Sequence, residues 1–106
     1  MVVTDHGQVM ANWPVSTARK GKVTPVGNFR PQMLKRWHYS SLYNNAPMLW
    51  SIFYSGNHAI HGTDQISRLG RPASAGCVRL HPDHARSLFA IVRAVGMAAT
   101  RIRVQR

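Results

Sequence analysis

The chain contains no glutamate and only three aspartates, against 14 lysines and arginines, giving a formal charge of +11 over 106 residues. Such a surface attracts polyanions, whether nucleic acid, lipid headgroups or acidic polymers. A soluble enzyme with a basic surface fits the same number. The cations are scattered from Arg19 to Arg106 with no run of five or six, which excludes an arginine-rich arm. There is one cysteine, Cys77, so no internal disulfide can form and the fold must close by packing alone. That count leaves the compartment open. No apolar stretch approaches the roughly 18 residues of a membrane-spanning helix. The opening MVVTDHGQVM has neither a cationic start nor a long apolar run, so it does not read as a signal peptide. A role outside the cytoplasm would need an export signal from outside this chain. Repeats and low-complexity tracts are absent. The length fits a single domain over 1–106, and the 44% hydrophobic content is enough for a packed core.

The first two-thirds reads as β. Met1–Thr4 is an apolar stub before the turn signal Asp5-His6-Gly7, and Val9, Ala11 and Trp13 then alternate with Met10 and Asn12. Ser16–Gly27 is a polar loop punctuated by Gly and Pro, too long for a hairpin turn and of the kind that carries function. Pro31 argues for an edge position in the weakly patterned segment that follows. Met48–Ser55, MLWSIFYS, is the strongest strand signal, and its near-continuous apolarity predicts a central strand covered on both faces. The short strand HAIHG should pair beside it. Pro82 and Asp83 suit a helix start; Ala85, Leu88, Phe89, Val92 and Val95 recur at helical spacing, and Gly96 suits the stop. This predicts a helix over 82–95. Thr100–Gln105 alternates as a half-exposed last strand. The expected fold is mainly β with one packed C-terminal helix.

Cys77 lies in the stretch Ser74-Ala75-Gly76-Cys77-Val78-Arg79. A free cysteine is commonly a small buried hydrophobe. A nucleophilic reading also fits. Small neighbours leave the sulfur open, Gly76 permits a tight turn, and amides of Gly76, Cys77 and Val78 could stabilise an oxyanion. His61 ends an apolar strand and is followed by Gly62, which allows a sharp turn; it is the candidate base. Arg79, two residues beyond Cys77, should point to the same side, where it would favour a thiolate or hold a substrate carboxylate. Thr63 and Ser74 most simply make turn hydrogen bonds. His58 and His61 should point to opposite strand faces, a poor ligand pair. His81 and His84 have no further ligand at metal spacing, so no metal and no cofactor is expected.

Taken together these residues resemble the L,D-transpeptidases, which crosslink bacterial peptidoglycan. The family pattern is His-Gly-Thr, a later Gly, then Ser-His-Gly-Cys followed by a hydrophobic residue and Arg or Asn. His61, Gly62, Thr63, Gly70, Ser74, Gly76, Cys77, Val78 and Arg79 fall on it. STARKGKVTPVGNF resembles the family's upstream loop through Thr24, Pro25, Gly27 and Phe29. MLWSIFYSGNHAIHGT, which includes Tyr54, resembles the aromatic strand leading to the histidine, and HPDHARSLFAIV the helix after the cysteine. The resemblance implies a β-sandwich-like catalytic fold. It also implies Cys77 as nucleophile, His61 as base, and thioester chemistry on peptidoglycan stem peptides that ends in 3→3 crosslinks. Arg79, Ser74, Thr63, Gly62 and Tyr54 are then candidates to bind substrate or support the site. L,D-carboxypeptidase trimming and lipoprotein attachment are variants of the same chemistry. The implied location is the periplasm or cell envelope, with electrostatic association to anionic wall polymers or membrane surface.

Two features depart from the pattern. Ala75 stands where a histidine is usual. Only Met1–Thr4 remains ahead of the second strand, so the domain is expected to lack the family's first strand. Two rivals are a non-catalytic wall-binding relative and a basic nucleic-acid module. Retention of Cys77, His61 and Arg79 argues against the first. Aromatics clustered in one strand rather than interleaved with arginines argue against the second, so no specific nucleic acid is expected. A papain-like peptidase would place cysteine before histidine; here the order is reversed.

Overall fold

The computed structural model of the chain describes residues 1–40 and 46–105. The N-terminal stub is a strand: β1 (Val2–Asp5) pairs antiparallel with β2 (Gln8–Asn12). The two-residue turn between them has φ of 50° at His6 and 79° at Gly7. Positive φ at both positions gives the twist that a two-residue hairpin needs. A second small pair joins β3 (Gly27–Phe29) to the last strand, β8 (Ile102–Val104).

The central sheet holds β4 (Met33–Ser40), β5 (Ala46–Ser55), β6 (His58–Gly62) and β7 (Val78–Leu80), in that order. β4 lies on the edge just beyond Pro31, where a residue without an N–H costs no ladder bond. β5 is interior, as its apolar sequence predicts. β6 pairs antiparallel with β5 and parallel with β7. A parallel pair cannot be joined by a hairpin, so the chain must cross over between β6 and β7. That crossover, residues 63–77, contains a 3-10 turn at Ile66–Arg68 and ends at the cysteine.

The helix α1 spans Pro82–Val95, the range read from its periodicity. His81 caps it, its Nδ1 accepting from the Asp83 amide at 3.1 Å, and Gly96 ends it with φ 98°. α1 packs on β5 and β6. Its Ala85, Leu88, Phe89 and Val92 meet Ile52, Tyr54, Ile60, Val78 and Leu80 from the sheet. The alternate residues Phe53 and Ala59, with Met48, form a smaller cluster to which Cys77 adds. Because successive strand residues face opposite ways, these clusters occupy the two sides of the sheet. One side is packed under the helix, and the other carries the cysteine.

The register of β5 against β6 shifts twice, between Leu49 and Ile52 and again between Phe53 and Ser55. Leu49 pairs with Gly62 and Ile52 with Ile60, so Trp50 and Ser51 together oppose His61. Trp50 takes φ 54°, a left-handed conformation rare for a bulky side chain. Its ring is held between the Arg36 and Arg86 guanidiniums at 5.0 and 5.7 Å and packs edge-on to Phe89. The bulge places an irregular backbone directly beside the candidate base.

Candidate active site

His61 is buried at 7% exposure on β6, opposite Arg79 of β7. Its Nδ1 lies 2.7 Å from the Gly62 carbonyl. A carbonyl only accepts, so Nδ1 carries the proton and Nε2 keeps the basic lone pair. Burial pulls the imidazole pKa down to about 4; the Gly62 bond opposes this and the Arg79 charge adds to it. The ring is therefore a neutral base at neutral pH.

Cys77 precedes β7 by one residue and shares a face with Ala59, and hence with His61 two residues on. Its Sγ–H points to the Asn57 carbonyl at 3.8 Å. Burial raises the thiol pKa, while the Ala59 amide and the Arg79 charge pull against it. Among the described residues no hydrogen bond joins the thiol to His61. Low imidazole basicity and a raised thiol pKa both favour the neutral pair at rest over thiolate and imidazolium.

The turn before the sulfur is tied down on itself. The buried Ser74 hydroxyl donates to the Cys77 carbonyl at 2.5 Å and accepts from the Gly76 amide at 3.1 Å. Gly76 has φ 137°, and a Cβ there would stand 2.8 Å from the Val23 carbonyl oxygen and 2.9 Å from His58 Nε2. Glycine is required on both counts. The loop beginning at Ser16 supplies the outer wall. Ser16 and Arg79 exchange backbone bonds of 3.0 and 2.8 Å, the Arg19 amide donates to Ser74 at 2.9 Å, and Ala73 and Ser74 both donate to Thr17 at 2.9 Å.

Two elements thus converge on one cysteine turn, and relatives share both the sequence and the shape. The L,D-transpeptidase catalytic domain (YkuD) family model matches residues 1–104. The chain belongs to the L,D-transpeptidase catalytic domain family. It is 31% identical over 86 residues to the probable L,D-transpeptidase ErfK/SrfK of Escherichia coli K12, covering 74% of this chain and 28% of that protein. An L,D-transpeptidase from Mycobacterium smegmatis superposes with TM-score 0.87 at 18% identity, covering 99% of this chain and 53% of its own. One from Xylanimonas cellulosilytica gives 0.79 at 26% identity, covering 98% and 54%. The L,D-transpeptidase LdtMt1 in complex with imipenem gives 0.81 at 22% identity, covering 93% and 50%. The chain therefore spans 28% of the curated relative's length and about half of each of these solved chains.

Within this L,D-transpeptidase domain the remaining candidates divide. Arg79 is half-buried and its Nη1 donates to Gln65 Oε1 at 2.8 Å, which aims it from the crossover. Thr63 is buried; its amide donates to Leu80 at 2.9 Å and its Oγ1 accepts from Gln65 at 3.0 Å. Gly62 sits in close packing, where a Cβ would stand 3.2 Å from Pro82 Cα. The three oxyanion candidates are not equivalent. The Gly76 amide is already bonded to Ser74, and Val78 sits in the ladder opposite Ile60, which leaves the amide of Cys77 itself.

Of the two roles open to Tyr54, its burial fits support and not direct contact with substrate. At 1% exposure it belongs to the helix-side core, edge-on to Phe29, and its buried hydroxyl has no hydrogen-bond partner among the described residues. Burial, with a contribution from Cys77, pushes its pKa up to about 12. His58, Val23, Gln65 and the Gly62 carbonyl are neighbours of the site whose parts in it sequence reasoning did not find. Val23 had a signal through the family-like loop around it, Gly62 was marked as a turn residue with no role for its carbonyl, and His58 was weighed only as a metal ligand. Among the described residues no group of three or more His, Cys or acidic side chains could hold a metal ion. His84 instead stacks on Trp13 at 4.9 Å. No described helix is long and apolar enough to cross a membrane.

Proposed function

We propose that this domain is a cysteine L,D-transpeptidase acting on peptidoglycan stem peptides. The observation that carries the reading is the oriented imidazole: His61 held by the Gly62 carbonyl at 2.7 Å, on the sheet face that carries Cys77. The carbonyl does for this base what a third triad residue does elsewhere, fixing tautomer and orientation. Because thiol and imidazole are neutral at rest, proton transfer accompanies attack instead of preceding it.

Cys77 Sγ attacks the carbonyl between residues three and four of a donor stem tetrapeptide as its proton passes to His61 Nε2. The tetrahedral oxyanion meets the Cys77 amide, and the Arg79 charge adds favourable potential. His61 returns the proton to the departing amine. The terminal D-amino acid leaves and a thioester remains. The side-chain amine of a diamino acid on a second stem, losing its proton to His61, then attacks the thioester and forms a 3→3 crosslink. Water in place of the amine would give carboxypeptidase trimming, and a lipoprotein amine would give attachment to the wall. Such a substrate lies outside the cytoplasmic membrane, so we assign the protein to the periplasm or envelope. There its +11 charge favours association with anionic wall polymers or the membrane surface.

Incubation with tetrapeptide muropeptides, read by mass spectrometry, tests the reading. The expected products are crosslinked dimers and free D-amino acid. Tripeptide alone would make the protein a carboxypeptidase, and no change with folded protein would contradict acyl transfer altogether.

A further inference from the structure

The crossover that delivers Cys77 also builds a cleft of about 470 Å³, lined by Ser67, Arg68, Arg71, Pro72 and Ala73. Both arginine side chains are exposed. Arg71 Nη2 donates to the Ser67 carbonyl at 3.2 Å, which orients that guanidinium along the cleft wall. The Arg68 backbone is fixed on two sides, its carbonyl accepting from the Ser16 hydroxyl at 2.8 Å and its amide donating to Gln65 at 3.1 Å. Gln65 is also the residue that holds Arg79. One short relay of contacts therefore runs from the cleft to the cysteine turn.

Among the described residues the two cleft arginines form no ion pair with a carboxylate. Of the three aspartates, Asp5 pairs with His6 at 2.8 Å and Asp83 lies 3.8 Å from His81 at the helix start. Among the described residues no arginine forms an ion pair with a carboxylate. Burial lowers the Arg79 pKa; a Cys77 thiolate opposes this, the charges of Arg19 and Arg68 add to it, and Asp64 opposes it weakly. Arg79 thus acts on the sulfur with the Arg19 and Arg68 charges near it in turn, and a guanidinium fork matches a carboxylate bidentately.

We propose that the Arg68–Arg71 cleft is a carboxylate subsite that selects stem peptides with free internal carboxylates over amidated ones. The inference rests on the transpeptidase reading above and adds to it a choice of substrate. A peptide acid fits better than nucleic acid. Ser67, Pro72 and Ala73 offer no aromatic ring for base stacking, and the lining is confined to the crossover segment that leads to Cys77.

The test compares binding of two tetrapeptides to the Cys77→Ala protein at low salt. One has its internal carboxylates free; the other has each of them amidated. The free acid is expected to bind about fivefold or more tightly, with the preference shrinking as salt rises. Arg68→Gln/Arg71→Gln should reduce it to within about twofold, and Arg68→Lys/Arg71→Lys should keep part of it. Unchanged thermal midpoints confirm folding, as expected for exposed side chains. Equal binding of both peptides, binding of neither, or a preference that survives the double glutamine change would overturn the subsite. Imipenem acylation of Cys77 in the native protein reports separately on the parent reading. A protein that acylates without preferring the acid loses only this inference.

Discussion

The two sides of the central sheet are built on opposite terms. Under α1, Ile52, Ile60, Leu80 and Val92 are nearly dry and apolar, and their burial is ordinary core formation. On the other side Ala59 and Cys77 are small, His61 is buried but polar, and Ser74 and Thr63 spend their hydrogen bonds on shaping the turn. One side contributes stability. The other uses that rigidity to hold a base, a thiol and a guanidinium in fixed relation, at the cost of burying an imidazole. The same four strands carry both, because side chains alternate across a strand and the two sides can be specified independently.

That division can be broken from either side. Leu80→Ala removes a fully buried side chain beneath the helix. It should cost about 3 kcal/mol in denaturant unfolding, and folded protein should keep its rate of Cys77 acylation. Acidification tests the buried imidazole. The His61 pKa is about 4 in the folded chain and near 6.5 unfolded. Between those values the unfolded state binds the proton and the native state does not, so stability falls as pH drops. The loss through this window should approach about 3 kcal/mol, complete near pH 4, and His61→Asn should flatten it. An unchanged slope in that variant would put the acid sensitivity elsewhere.

Gly76→Ala forces a methyl toward the Val23 carbonyl and the His58 ring at a left-handed φ. A cost of about 1–3 kcal/mol is expected, with acylation slowed far more than stability suggests. The smallest effect should come from Gln65→Ala. It frees Arg79 Nη1 and should slow acylation a few-fold with stability changed by less than about 0.5 kcal/mol. A larger loss of stability would make Gln65 part of the scaffold.

Sequence carried the helix side well because its signals are local. Pro82, the apolar spacing and Gly96 mark α1, and the run Met48–Ser55 marks the central strand. The stub Met1–Thr4 became a strand because the His6-Gly7 turn returns β2 onto it, a pairing that composition does not show. On the cysteine side, Cys77, His61 and the Gly76 turn stood out by residue type and spacing. Their settings did not. The Gly62 carbonyl is a backbone atom, the bulge at Trp50 and Ser51 depends on register with β6, and Gln65 reaches Arg79 only through the crossover. For Tyr54 the residue type left open whether it would bind substrate or support the site. Only the packed sheet shows that its ring lies in the core under the helix.

The most direct test is intact mass with peptide mapping after exposure to imipenem. Native protein should gain one adduct, mapped to Cys77, and Cys77→Ala should gain none. His61→Asn should acylate far more slowly. Folded native protein that stays unmodified, or an adduct that persists in Cys77→Ala, would contradict the assignment of Cys77 as the nucleophile.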